Sequence, residues 1–270
     1  MNKPRWCWLI FLAFLCFLLS SIMLPPALEA QIFFGVTPIR VEHKIKPGGR
    51  LTDVFYVRNN ANRPIRLKVY PENWWLKEDG TPSFVGQQEV SFSCKDWIKV
   101  NPFDFRLQPG EMKQVRYTIS VPEDIEAGGY HAAVSFENVP ETPEGMRLGQ
   151  VAFTAKIAAA VYVVVGQVEP RGSLDEALFE KSGNNQILKI KISNSGKTHF
   201  RLKGEVVIKN IQGKKVNTLE VPDEPVLPTS WRYVSIPLKE NLPPGSYRLE
   251  IRIDIGREEL LGLDKEIEVK

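Results

Sequence analysis

Three histidines (His43, His131, His199) and three cysteines are the only soft or readily switched side chains in this 270-residue chain. No histidine lies within four residues of another His or Cys, so no metal-ligand spacing arises. Cys7 and Cys16 fall in an apolar N-terminal run. Cys94 therefore stands alone in the remainder, where no internal disulfide can form and a lone buried thiol is expected. Glu123, Asp124 and Glu126 have the composition of an acid/base group, but they precede Gly128 and Gly129 and read as solvated turn charges. Trp74 and Trp75 have the composition of a sugar-stacking platform. Strand neighbours point to opposite faces, so one is expected in a core and at most one is available. There is no G-x-S-x-G elbow and no Gly-rich phosphate loop. These residues point to a binding or structural protein, with no enzyme activity, cofactor or metal expected.

The elements that would position such residues are strands. Residues 148–166, LGQVAFTAKIAAAVYVVVG, form the most apolar run after the N-terminus, and their β-branched and aromatic side chains favour extended structure. A spanning helix needs about 20 residues, and Lys156 in the middle would be costly there. A strand this apolar is buried on both faces or waits for a partner to cover it.

Elsewhere, short alternating runs recur between Pro, Gly and Asn clusters, which argues for an all-β sandwich. GVTPIRVEHKI, LTDVFYVRN, PIRLKVYPENWWL, WIKV, MKQVRYTISV and YHAAVSFENV read as strands. KEDGTPSFVG and VPETPEGMRLG read as loops. After VEPR, which reads as a linker, LKIKIS places Leu188, Ile190 and Ile192 on one face, and SYRLEIRID repeats the alternation. Residues 173–181 are open to either a short helix or a first strand.

Lys3 and Arg5, an apolar run from Trp6 to Leu24, then Pro25, Pro26 and Ala27 to Ala30, with Ala30 suited to the position before a cut, have the layout of a secretory signal. The expected organisation is a signal over 1–30, one sandwich over 31–166 and a second over 167–270. An uncleaved N-terminal anchor is the alternative, and it is the only membrane attachment expected. The formal net charge of +3 gives no reason to expect nucleic acid.

An internal repeat relates the two halves. RNNANRPIRLK from Arg58 aligns with SNSGKTHFRLK from Ser193, setting Asn59 over Asn194 and Arg66 over Arg201. IEAGGY and LPPGSY also correspond. They read as tyrosine corners of immunoglobulin-like sandwiches, in which Tyr130 and Tyr247 bond back to upstream backbone.

In the order of its parts, Gln31 to Gly166 resembles the first domain of the periplasmic pilus-assembly chaperones (PapD-like). GVTPIRV resembles their first strand, FYVRNNANRPIRLKVYPENWW the second and third, and LGQVAFTAKIAAAVYVVV the last. That resemblance implies that the last strand is lent to an incomplete subunit by β-augmentation. It further implies that a basic pair holds the subunit's C-terminal carboxylate. Arg40 matches the arginine of that pair. The lysine position falls near Ala160, which is not basic, and Lys156 lies four residues earlier on the same face. The layout of both halves also resembles the ectodomain of the WxL-interacting cell-surface proteins. This second resemblance implies binding of peptidoglycan or a surface partner. Those proteins end in a transmembrane helix and basic tail, whereas this sequence ends in LLGLDKEIEVK, so a free form or one tethered at its N-terminus is expected.

The expected partner is thus an extracytoplasmic protein, a pilus or surface subunit, or else peptidoglycan, met in the periplasm or cell envelope. The expected site is the edge from Val151 through Phe153 to Ile157, with Arg40 and Lys156 offering positive charge beside it. The alternative is that this strand is fully paired within its own sandwich.

Overall fold

A computed structural model describes residues 33–84, 90–139, 154–183 and 185–269. Residues 1–30, expected as a secretory signal, and Val151, Phe153 and most of the VPETPEGMRLG loop lie outside the described residues.

The first sandwich contains β1 (Phe34–Thr37), β2 (Arg40–Lys44), β3 (Arg50–Asn59), β4 (Ile65–Glu72), β5 (Trp74–Leu76) and β6 (Pro82–Phe84). A 3-10 turn at Lys95–Trp97 follows, then β7 (Ile98–Asn101), β8 (Asp104–Leu107), β9 (Met112–Ser120), β10 (Gly128–Val139) and β11 (Lys156–Val165). One sheet has the order β1-β3-β9-β7 and the other β2-β11-β10-β4-β8. Two facing sheets with this strand order, antiparallel except where β2 runs parallel to β11, are the immunoglobulin arrangement. GVTPIRVEHKI is not one strand, as its alternation suggested. Pro38 cannot donate to a ladder, and the chain changes sheets there, at a cis peptide. The change of sheet from β7 to β8 likewise falls at a cis peptide, before Pro102.

Alternation supplies the core. Phe55 and Val57 of β3, Leu67 and Val69 of β4, Val115, Tyr117 and Ile119 of β9, and Val161, Val163 and Val165 of β11 all point inward. Cys94 is a buried free thiol in the same core, and burial pushes its pKa up. KEDGTPSFVG, expected as a loop, instead continues the third strand into a hairpin in which β5 pairs with β6. Trp74 is buried and Trp75 is 40% exposed, as strand alternation required.

The second sandwich contains β12 (Gly172–Ser182), β13 (Asn185–Asn194), β14 (Phe200–Arg201), β15 (Lys203–Asn210) and β16 (Lys215–Val221). β17 (Pro225–Val226), β18 (Trp231–Pro237), β19 (Gly245–Asp254) and β20 (Leu261–Val269) complete it. Its main sheets run β12-β13-β18 and β16-β15-β19-β20. The segment 173–181 is therefore strand. Leu188, Ile190 and Ile192 meet Leu249, Ile251 and Ile253 in a separate core. At ~1.5 to 3 kcal/mol for each fully buried large aliphatic side chain, such a core can support a sandwich without disulfides.

Candidate functional site

The strand β11 divides into two parts. From Ala160 to Val164 it lies between β10 and the parallel β2, with Arg40 opposite Ala160. From Lys156 to Ala159 it pairs with β10 alone among the described strands. Which backbone groups remain open follows from the register, because alternate residues of a strand bond to opposite neighbours. Asn138 N–H donates to Ala155 C=O, and Ala160 N–H donates to Ile39 C=O on the other side. The odd-numbered residues thus bond to β10. The N–H and C=O groups of Lys156 and Ala158 point to the open edge.

The side chains of this half-strand follow the same parity. Ile157 packs against the first core, while Ala158 and Ala160 join Trp74, Leu76, Ala133, Tyr162 and Leu227 in a small cluster between the sandwiches. Lys156 is not a free cation at the edge. Its Nζ donates to Glu72 Oε1 at 2.8 Å and lies 4.1 Å from the centroid of the Phe84 ring. Glu72 is buried and also accepts from Ser135 Oγ. Lys156 therefore satisfies a carboxylate buried on the sheet, a contact worth more than an exposed pair because the acid would otherwise stand alone.

Arg40 sits at the head of β2. Its Nη1 lies 3.4 Å from Asp223 Oδ2, and Arg201 Nε donates to Asp223 Oδ1 at 2.5 Å. The cation that accompanies Arg40 is thus Arg201 of the second sandwich rather than Lys156, which is four residues from Arg40's partner in the register. Two arginines around one carboxylate leave a net positive charge, and the Arg201 hydrogen bond holds Asp223 below the usual carboxylate range. Arg201 could have been found from the repeat. Its counterpart Arg66 grips Asp104 through Nε at 2.8 Å and Nη2 at 2.7 Å.

Beside this pair, His199 Nε2 lies 3.4 Å from Glu42 Oε1, and its ring stacks on Tyr162 with centroids 4.3 Å apart. The hydrogen bond from His199 lowers the Glu42 pKa, partly offset by burial. Glu42 and His199 line one wall of a cleft of about 1240 Å3 between the sandwiches, with Lys44, Lys197 and Arg201 also along it. Lys197 is bound to Glu126 at 2.7 Å, which accounts for one of the turn carboxylates. Among the described residues, no group of His, Cys, Asp and Glu is arranged to hold a metal ion. His43 bonds to Tyr117 and His131 to the Trp74 carbonyl, so each histidine is engaged within the fold.

The two proposed corner residues have the same geometry. Tyr130 OH donates to Glu126 C=O at 2.9 Å and Tyr247 OH to Pro243 C=O at 2.9 Å.

Fold and site together define a tandem immunoglobulin-like protein in which part of β11 has no second strand beside it among the described residues, next to a basic junction between the sandwiches. No family model matches the chain, and no curated protein matches it. Among solved structures, the chain is similar to the class 5 fimbriae chaperone CfaA, at 16% identity, over 87% of this chain and 98% of that one, with a TM-score of 0.47. It is similar to the E. coli chaperone DraB at 16% identity, over 88% and 97%, with a TM-score of 0.41. It is also similar to the Pseudomonas aeruginosa CupB2 chaperone at 12% identity, over 85% and 98%, with a TM-score of 0.40.

Proposed function

We propose that this protein is an extracytoplasmic, chaperone-like binding protein that captures a strand of a surface or fimbrial subunit along the open edge of β11. In this reading the segment 1–30 directs export, and the chain acts as two sandwiches divided between residues 166 and 167. The observation that carries the reading is the pair of outward-pointing backbone groups at Lys156 and Ala158, which have no strand opposite them among the described residues. Main-chain bonds to such an edge supply affinity, and alternate side chains supply selectivity. Arg40 and Arg201 provide the anchor for a partner carboxylate. Asp223 holds that position in the free protein, and an incoming carboxylate would exchange with it.

The test uses Ala158→Pro, which removes an open-edge donor while leaving the bonds to β10 in place, and Arg40→Glu. The chain from Gln31 is used to capture its partner from its own envelope, with folding checked by circular dichroism. Capture is expected to fall in both variants, and the Ala158 amide of the unaltered chain should gain hydrogen-exchange protection in the complex. Undiminished capture by both folded variants would remove strand pairing and leave peptidoglycan or another surface contact as the binding mode.

A further inference from the structure

The outer face of the β1-β3-β9-β7 sheet has an unusual charge distribution. Parity in β3 sends Arg50, Tyr56 and Arg58 outward, opposite Ser120, Gln114 and Met112 of β9. Arg116 of β9 and Lys99 of β7 project from the same face, and all four cations are exposed. At ~3.3 Å per residue and ~4.8 Å between strands, nearest cations on this face stand ~8 to 14 Å apart. None of the four has an ion pair among the described residues.

Several cations on other sheet surfaces have carboxylate partners. Arg66 holds Asp104, Lys209 holds Glu250, and Arg248 and Arg252 share Asp264. The two acids bordering the basic face are engaged with their own surroundings. Asp53 accepts from the Val54 N–H at 2.8 Å, and Glu111 accepts from the Gln108 N–H at 2.7 Å. Among the described residues, no carboxylate therefore neutralises the face from within. Beside Arg58 at one end of the face, Tyr56 is 41% exposed and Met112, opposite Arg58, is 60% exposed.

We propose that this face docks on an anionic lipid bilayer. Spread cations suit a surface of many separate negative headgroups, and each adds to an attraction that salt weakens. The exposed Tyr56 and Met112 favour a bilayer over a soluble polyanion, because aromatic and apolar side chains gain from entering the headgroup region. The face belongs to the sheet opposite β11, so lipid contact would leave the open strand edge free.

The test is sedimentation of the chain from Gln31, which includes the whole compact unit Phe33–Lys270, with vesicles of phosphatidylglycerol and phosphatidylcholine in equal parts. Phosphatidylcholine vesicles are the control. Binding is expected to the anionic vesicles only and to weaken as salt rises. The double variant Arg58→Glu/Arg116→Glu should lose roughly tenfold or more in affinity. Lys214→Glu/Lys239→Glu, which changes net charge equally from other surfaces, should bind like the unaltered chain, and Tyr56→Ala should be released at lower salt. Equal losses in the two double variants would reduce the effect to net charge and overturn the proposal. So would an absence of vesicle binding, whether or not the face retains soluble polyphosphate.

Discussion

Asn59 and Asn194 make the same three hydrogen bonds in different sandwiches. Asn59 ends β3 and Asn194 ends β13. Asn59 Nδ2 donates to Arg63 C=O and Leu107 C=O, and its Oδ1 accepts from Ala61 N–H. Asn194 Nδ2 donates to Thr198 C=O and Val226 C=O, and its Oδ1 accepts from Gly196 N–H. One amide thus closes the turn that follows its strand and ties that turn to a neighbouring strand.

Replacing either residue by Ala leaves three backbone groups in or near the core without partners. Each of Asn59→Ala and Asn194→Ala should cost ~2 to 4 kcal/mol, because one unsatisfied buried group already costs ~1 to 3. Urea unfolding checks this. A loss below ~1 kcal/mol at both sites would mean that water replaces the amide.

Burial lowers the His131 pKa to about 4, with the bond to the Trp74 carbonyl opposing the shift. A folded-state value below the unfolded one means that the neutral ring stabilises the fold. This contribution is complete above pH ~6.5 and is lost as pH falls toward 4, amounting to about 3 kcal/mol in all. His131→Gln retains a donor for Trp74 and should flatten stability against pH over that window. Glu42, whose pKa is lowered, acts in a separate range, contributing above pH ~4.5 and losing its effect as pH falls through its folded value. Thermal midpoints measured from pH 7 to 4 separate the two. An unchanged slope in His131→Gln would assign the window to other groups.

Gly80 lies in the β5–β6 turn with φ +81°, and an added Cβ would sit 1.7 Å from Arg232 Nη2. That guanidinium is held by Glu224 at 2.5 Å and by the Pro225 carbonyl at 3.1 Å. Alongside it, Tyr233 N–H donates to Glu78 C=O at 2.7 Å, so the turn of one sandwich rests on an edge strand of the other. Gly80→Ala should cost ~1 to 3 kcal/mol from backbone conformation and displace Arg232 as well. A double-mutant cycle with Arg232→Met should show coupling, since the two share a contact. Additive losses would mean that the turn and the arginine act independently.

Much of the fold is legible from local rules. Alternation in LKIKIS and SYRLEIRID gives the inward faces of β13 and β19, since a period of two follows from the pleat and needs no knowledge of neighbours. The Tyr echoes and the turn bonds of the Asn echoes belong to the same class, with partners two to four residues away in the chain, whereas the Asn bonds to Leu107 and Val226 are tertiary. Trp74 and Trp75 were separated on the same ground.

The candidate site is different. Parity places Lys156 on the outer face of β11, but only the alignment of β11, β10 and β4 brings it to Glu72 and fills the charge expected to be free. The sequence identifies Arg40 as a basic residue at a strand head, yet its companion is Arg201, reached through Asp223 from the other sandwich. Pro38 shows that a strand must break without showing that its two parts join different sheets. Residue types and spacing by themselves determine the strands, their inward faces and their turn chemistry, because those depend on backbone geometry within a few residues. The tertiary structure alone decides which edge stays open and which cations are neutralised, because both depend on register and on contacts between residues distant in the chain.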